Sequence, residues 1–178
     1  AIGVRDELRP EVPEVVRTLT AQGVGVTMLT GDNTRTAHAL AAQAGIEDVR
    51  AELRPEDKSA AISELGRTGS VAMIGDGIND APVLARADVS LAMGQGALVS
   101  RSQADAVIAS NQLGDLVRAR HTAQQALRIV RQNFVWAGSY NALCIPLALV
   151  GWLPPWAAGL GMALSSLVVV FNALRAAR

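Results

Sequence analysis

The sequence holds one cysteine, Cys144, and one lysine, Lys58, and its aromatic content is 3%. A lone cysteine excludes an internal disulfide framework and any all-cysteine zinc cage. There is no excess charge of either sign: 16 Lys+Arg stand against 16 Asp+Glu. That argues against a nucleic-acid partner, whose phosphates call for a basic surplus. No signal peptide is visible and residue 1 is not Met, so the chain reads as a piece of something longer. Internal repeats and low-complexity linkers are absent too. At 50% hydrophobic residues the chain is not disordered. Charge is missing most locally: all sixteen acidic residues precede Arg131, and no side chain from Gln132 to Leu174 is formally charged.

That uncharged stretch is about twice the ~20 residues a helix needs to cross a bilayer. Gly151, Pro154 and Pro155 lie near its middle. The pattern predicts two transmembrane helices, about 134–151 and 155–174, joined by a turn. A soluble domain of this size could not bury such a hairpin. Arg128 and Arg131 precede the first span, Arg175 and Arg178 follow the second, and the turn is uncharged. The positive-inside rule then puts both ends, with the tail 175–178, in the cytoplasm. Trp152 and Trp156 suit the far interface, and Trp136 the near one.

The first two thirds alternate β-rich runs with helical ones. Strands are expected at Ala1–Val4, Val24–Leu29, Val49–Leu53, Ser70–Ile74, Val89–Met93 and Ala106–Ala109. Helices are expected at Val12–Thr20, Thr34–Ala44, Pro55–Leu65 and around Ala81–Ala85, and a long one at Leu113–Asn133. The order implies βαβ units and one parallel sheet with helices on both faces. In such sheets function gathers at the C-terminal ends of the strands. This divides the chain into an α/β part over 1–112, a connecting helix over 113–133 and the hairpin over 134–174.

Two polar turns sit at those strand ends: Thr30-Gly31-Asp32, and Gly75-Asp76-Gly77-Ile78-Asn79-Asp80. Glycines let the backbone turn sharply and approach a ligand closely. Asp76 and Asp80 offer the hard oxygens that Mg²⁺ takes alongside phosphate and water. Thr30 and the backbone N–H groups beside it suit phosphate oxygens. Lys58 would offset phosphoryl charge. Taken alone, Thr30-Gly31-Asp32 is as readily a plain turn, and Lys58 a surface lysine.

Together these segments resemble the P-type ATPases. Thr30-Gly31-Asp32-Asn33 and Gly75-Asp76-Gly77-Ile78-Asn79-Asp80-Ala81-Pro82 are similar to two signature motifs of that family. Asp6 with Arg9-Pro10, and Pro55 with Lys58, match further pieces of its phosphorylation domain. The resemblance implies a partial haloacid-dehalogenase-like (Rossmann-like) sheet with ATP as substrate. It implies Mg²⁺ at Asp76 and Asp80, Thr30, Gly31, Asp32 and Lys58 around the phosphoryl group, and Asn79 supporting it. Gly94-Gln95-Gly96 resembles a following Gly-rich loop, but Ala97-Leu98 departs from the family's Thr-Asp, so that loop carries no assigned role. The family's Asp-Lys-Thr-Gly-Thr motif, whose Asp is phosphorylated, is not in this sequence. The strand bearing it is central to the family's sheet. The polypeptide is therefore expected to be inactive by itself and to need the remaining domains of the same ATPase.

The spans point to the ion. Met162, Ser165 and Ser166 are spaced i, i+3, i+4 and share one helix face. Small polar residues there also serve helix packing. A thioether is a soft ligand suited to Cu(I), and no carboxylate is present for a harder ion. Tyr140-Asn141 followed by Met162-x-x-Ser165-Ser166 is similar to the helix pair of the copper(I)-exporting branch. The zinc/cadmium branch characteristically carries ionisable groups in this pair. Cys144, one turn after Tyr140, either faces the same path or is a structural thiol. His38 and His121 have no metal-ligand neighbours in sequence. The resemblance implies a copper pump of the plasma (inner) membrane, its ion delivered by a copper chaperone. The alternatives are a pump for another heavy metal, a non-catalytic membrane remnant that binds a partner, and a soluble phosphatase of the same fold.

Overall fold

A computed structural model describes residues 8–75, 81–95 and 98–177. It divides into two compact units, residues 1–117 and 118–178.

In the first unit, α1 (Val12–Ala21) starts with Pro13 in its first turn, where a missing N–H does no harm. Its buried face is Val15, Val16 and Leu19. β1 (Thr27–Leu29) leads into α2 (Thr34–Ala44). Asn33 caps α2, its side chain accepting from the Thr36 N–H at 2.9 Å. Gly45 ends it in the left-handed conformation at φ 75°, which glycine adopts without steric penalty. Ala37, Ala41 and Ala44 form a fully buried stripe along α2. β2 (Asp48–Arg50) and α3 (Pro55–Leu65) follow, then β3 (Ala72–Gly75), α4 (Ala81–Leu84), β4 (Val89–Met93), α5 (Leu98–Gln103) and β5 (Ala106–Ile108).

All strand pairs are parallel. The expected single sheet is instead two: β1 pairs with β2, with Met28 opposite Val49, and β3–β4–β5 form a second sheet. Register in the second sheet sets Ile74 opposite Leu91 and Ala92 opposite Val107. No ladder joins β1 to β3 among the described residues. The resemblance offers a physical reason: it implies a central strand bearing the Asp-Lys-Thr-Gly-Thr motif, and that motif is not in this sequence. Hydrophobic packing still links the two sheets, because Leu29 of β1 packs against the cluster of Ile62, Met73, Val83 and Leu84. A second cluster, Leu91, Met93 and Ile108, is covered by Ile74, Leu113 and Leu116. Arg9 adds a long-range tie, its Nη1 donating to the Asn111 carbonyl at 2.7 Å.

The expected strand at Ala1–Val4 lies outside the described residues, and α5 had no periodic signal in the sequence. Gly94 follows β4 so closely beside β5 that a Cβ there would sit 2.7 Å from the Ile108 carbonyl oxygen and 2.8 Å from that of Ala109. Its N–H donates to the same Ile108 carbonyl at 2.9 Å. The Gly-rich loop that received no role thus begins with a glycine that packing requires.

α6 (Gly114–Leu149) runs unbroken for 36 residues and crosses the boundary between the units. In the second unit it is followed by a turn with Gly151 at φ 80°, then α7 (Pro155–Ala173) and a 3₁₀ turn, Leu174–Ala177. Trp152 N–H closes the turn on the Leu147 carbonyl at 3.0 Å. Two apolar spans were expected. Among the described residues one helix, α7, is long and apolar enough to cross a membrane, with mean hydropathy 1.6 and none of that span buried. The second half of α6 falls short because Gln132, Asn133, Tyr140, Asn141 and Pro146 dilute its aliphatic residues.

Candidate functional site

Thr30, Gly31 and Asp32 continue directly from the C-terminal end of β1. The Thr30 hydroxyl donates to Asp32 Oδ2 at 2.8 Å, and the Asp32 N–H donates back to Thr30 Oγ1 at 3.1 Å. The backbone of this loop is zipped to the segment after β2. Thr30 N–H reaches the Arg50 carbonyl, Leu53 N–H the Thr30 carbonyl, and Glu52 N–H the Asp32 carbonyl, at 2.9 to 3.0 Å. Gly31 is not in the left-handed region, and a Cβ there would meet the Leu53 carbonyl at an ordinary 3.4 Å. A sharp backbone turn is therefore not what requires glycine at this position.

Glu52 is a residue that sequence reasoning missed. It sits at φ 58°, in the left-handed region. Its carboxylate accepts from the Thr34 N–H at 3.2 Å and the Thr34 hydroxyl at 3.0 Å. These bonds hold its carboxyl below the ordinary value of 4.5, the backbone N–H contributing most. Glu52 therefore joins Asn33 in satisfying the first turn of α2 and fixes the Thr30–Asp32 loop from behind. The sequence carried no hint of this, because Glu52 fell inside the expected strand Val49–Leu53, whereas β2 ends at Arg50.

Lys58 lies on the first turn of α3 and is half-buried. Its N–H donates to the Arg54 carbonyl at 3.0 Å, and the Arg54 N–H is taken by the Asp57 carboxylate at 3.0 Å. The chain runs directly from Leu53, bonded to Thr30, into this capped turn. Asp76, Asn79 and Asp80, like Asp6, lie outside the described residues, and β3 ends at Gly75 immediately before them.

The second candidate site belongs to the second unit. Tyr140, Asn141 and Cys144 of α6 and Met162, Ser165 and Ser166 of α7 line one groove of about 540 Å³. It is walled otherwise by apolar side chains, among them Ile145 and Val169. No carboxylate and no formal charge faces it. Among the described residues no group of three His, Cys, Asp or Glu is arranged for a metal. What converges here is a thioether, a thiol, a phenol, two hydroxyls and an amide.

Two further residues shape this groove. Gly161 leaves room for the Tyr140 ring: a Cβ there would lie 2.7 Å from the phenol oxygen. The phenol also reaches the Ala158 carbonyl at 3.4 Å. Trp136, expected only as an interface residue, donates its indole N–H to Ser165 Oγ at 3.1 Å. Ser166 Oγ is turned back onto the Met162 carbonyl at 2.9 Å, an ordinary intrahelical bond. Cys144 is free and half-buried. His38 and His121 are exposed.

Comparison with known proteins identifies the fold first. Residues 1–88 match the haloacid dehalogenase-like hydrolase family. The whole chain is then accounted for by a narrower group. A copper-exporting P-type ATPase of Staphylococcus aureus (strain JH9) is 45% identical over 98% of this chain. The crystal structure of a zinc-transporting PIB-type ATPase in an E2·Pi state superposes on 98% of the chain with TM-score 0.94 and 37% identity, using 29% of its own length. The catalytic domain of the CPx-ATPase CopB-B covers 62% of the chain and 44% of itself, with TM-score 0.59 and 38% identity. The chain belongs to the heavy-metal class of P-type ATPases. It spans about a fifth, 22%, of the length of the curated relatives it matches.

Proposed function

We propose that this chain is part of an ATP-driven copper(I) pump, an integral membrane protein. In this reading it contributes the Mg²⁺-binding side of the phosphorylation site together with two ion-carrying helices. The observation that carries the ion assignment is the groove between α6 and α7, where Met162, Cys144, Tyr140, Asn141, Ser165 and Ser166 meet without a carboxylate. Soft sulfur donors favour Cu(I), whereas a divalent ion entering an uncharged groove would keep its full charge uncompensated. The 45% identity to a copper exporter supports the same ion.

At the other end, ATP phosphorylates an aspartate that is not in this sequence. Asp76 and Asp80 have the donor chemistry for Mg²⁺, which when bound offsets charge on the transferring phosphoryl group. The Thr30 hydroxyl and the Gly31 N–H hold phosphoryl oxygens, Lys58 supplies a cation, and Asn79 and Asp32 orient the loops. α6 begins at Gly114, just after β5, and continues past Tyr140 and Asn141. It is the element through which phosphorylation would alternate the groove between binding and release. Both helix ends lie in the cytoplasm, the membrane is the plasma (inner) membrane, and a copper chaperone delivers the ion.

In the whole protein, Met162→Ala is expected to abolish Cu(I)-stimulated ATP hydrolysis or to weaken Cu(I) binding by at least about tenfold. Asp76→Ala is expected to abolish phosphoenzyme formation while Cu(I) still binds. Unchanged Cu(I) affinity and rate in Met162→Ala would remove the groove from the transport path. A zinc pump is the second reading, favoured by the zinc-transporting structure that this fold matches. Stimulation of hydrolysis by Zn²⁺ and not by Cu(I) would establish it.

A further inference from the structure

From Leu116 to Arg178 the sequence has six arginines and no acidic residue. Two of these arginines meet in a second cavity, of about 220 Å³, lined by His121, Gln125, Arg128, Ile129, Gln132 and Arg175. Its floor is Ile129, the one buried residue of the second unit among those described. Its walls are the Arg128 and Arg175 guanidiniums, the Gln125 and Gln132 amides and the His121 imidazole, from α6 and from the turn after α7.

Arg175 is held in place there. Its Nη1 donates to Asn172 Oδ1 at 3.0 Å, and its backbone carbonyl accepts from Gln125 Nε2 at 3.5 Å. The Asn172 amide in turn donates to Asn133 Oδ1 at 2.9 Å and to Gln132 Oε1 at 3.3 Å. A guanidinium carries five N–H donors in a fixed fork, and this network engages one of them. Neither Arg128 nor Arg175 forms an ion pair among the described residues. A concave site with two guanidiniums, two amides and no acid is built for a phosphate-type anion.

Its depth suggests where the anion comes from. Arg175 follows the apolar helix α7 by two residues, and Arg128 precedes the Phe134–Leu149 segment by six. We infer that this cavity holds the phosphate of an acidic phospholipid headgroup, with the acyl chains running along the exposed apolar faces of α6 and α7. The inference rests on the membrane reading above. Basic side chains at that depth each contribute about fivefold to the binding of an anionic lipid, and the contribution is screened by salt.

The test uses the full-length pump reconstituted in phosphatidylcholine vesicles, with spin-labelled phosphatidylglycerol and spin-labelled phosphatidylcholine as probes. The wild type is expected to select phosphatidylglycerol. Arg128→Gln and Arg175→Gln should each lower that selectivity about fivefold, and the double variant should abolish most of it. Arg128→Lys should retain most of it, and Arg67→Gln, in the first unit, should leave it unchanged. Equal selectivity in the wild type and the double variant would overturn the inference. So would displacement of the labelled phosphatidylglycerol by inorganic phosphate, since the site would then serve a free anion. A protein that enters no vesicle at all fails earlier, at the membrane reading, and takes this inference with it.

Discussion

The two units keep their apolar residues in opposite places. The first has an interior: Val83, Leu84, Ala37 and Ala44 are completely enclosed, and short strands and helices cover them. The second has almost none. Ile129 is its one buried residue among those described, and all but three of the exposed large hydrophobic side chains among the described residues lie between Leu127 and Leu174. In the first unit apolar side chains exclude water by facing one another. In the second they face outward, and polar groups such as Tyr140, Ser165 and Asn172 occupy the contact between helices. Inward-facing polar groups suit a surrounding that is itself apolar. The same residue types thus serve opposite purposes, and substitutions should reveal which solvent each unit is built for.

The largest effect is expected at Gly94. A methyl group there would press on two carbonyl oxygens of the neighbouring strand end. Gly94→Ala should destabilise the first unit by about 3 kcal/mol. Hydrogen exchange would show β4 and β5 losing protection while the second unit keeps its own; equal protection in both would break the contrast. Next comes Gly161→Ala, where the obstructed atom is the tip of a side chain. Tyr140 can swing aside, so stability should change by under about 1 kcal/mol. Cu(I) affinity should fall by about tenfold, because the phenol leaves the groove. A large loss of stability with unchanged affinity would make Gly161 a packing residue only.

Asn172→Leu should weaken the pairing of α6 and α7 by about 0.6 kcal/mol, the usual worth of a hydrogen bond between membrane helices. Thermal unfolding in detergent would measure it. An equal or stabilising effect would mean that the second unit behaves like a water-soluble core, where leucine is preferred. The smallest effect belongs to Glu52. Its folded carboxyl titrates below 4.5, so its stabilising bonds to Thr34 are fully present above that pH. They are lost as pH falls through the lower folded value. Glu52→Gln should flatten that acid limb slightly, as read from the pH dependence of unfolding.

Local features were the most legible in the sequence. Asn33 and Gly45 bracket α2, and Pro55 opens α3, because caps and breakers act within a turn of where they stand. The helix face shared by Met162, Ser165 and Ser166 was likewise readable from spacing alone. What escaped depends on distant partners. One sheet was expected and two are present among the described residues, since strand pairing is decided between residues tens of positions apart. That Tyr140 and Asn141 face Met162, and that Trp136 bonds Ser165, follows from how closely the helices approach at Gly161. Glu52 acts through a backbone conformation that its neighbours in sequence do not announce.

β1 and β3 each have an edge that no ladder occupies among the described residues, and this carries one more consequence. Each edge offers backbone donors and acceptors to any strand that arrives. A strand that paired with both edges would turn two small sheets into one. In the proposed pump that strand also brings the aspartate that takes the phosphate. Under that proposal, completing the sheet and arming the enzyme would be a single event, and a half-assembled pump would not hydrolyse ATP. Until that strand docks, the open edges are a place where two unfinished copies can pair with each other.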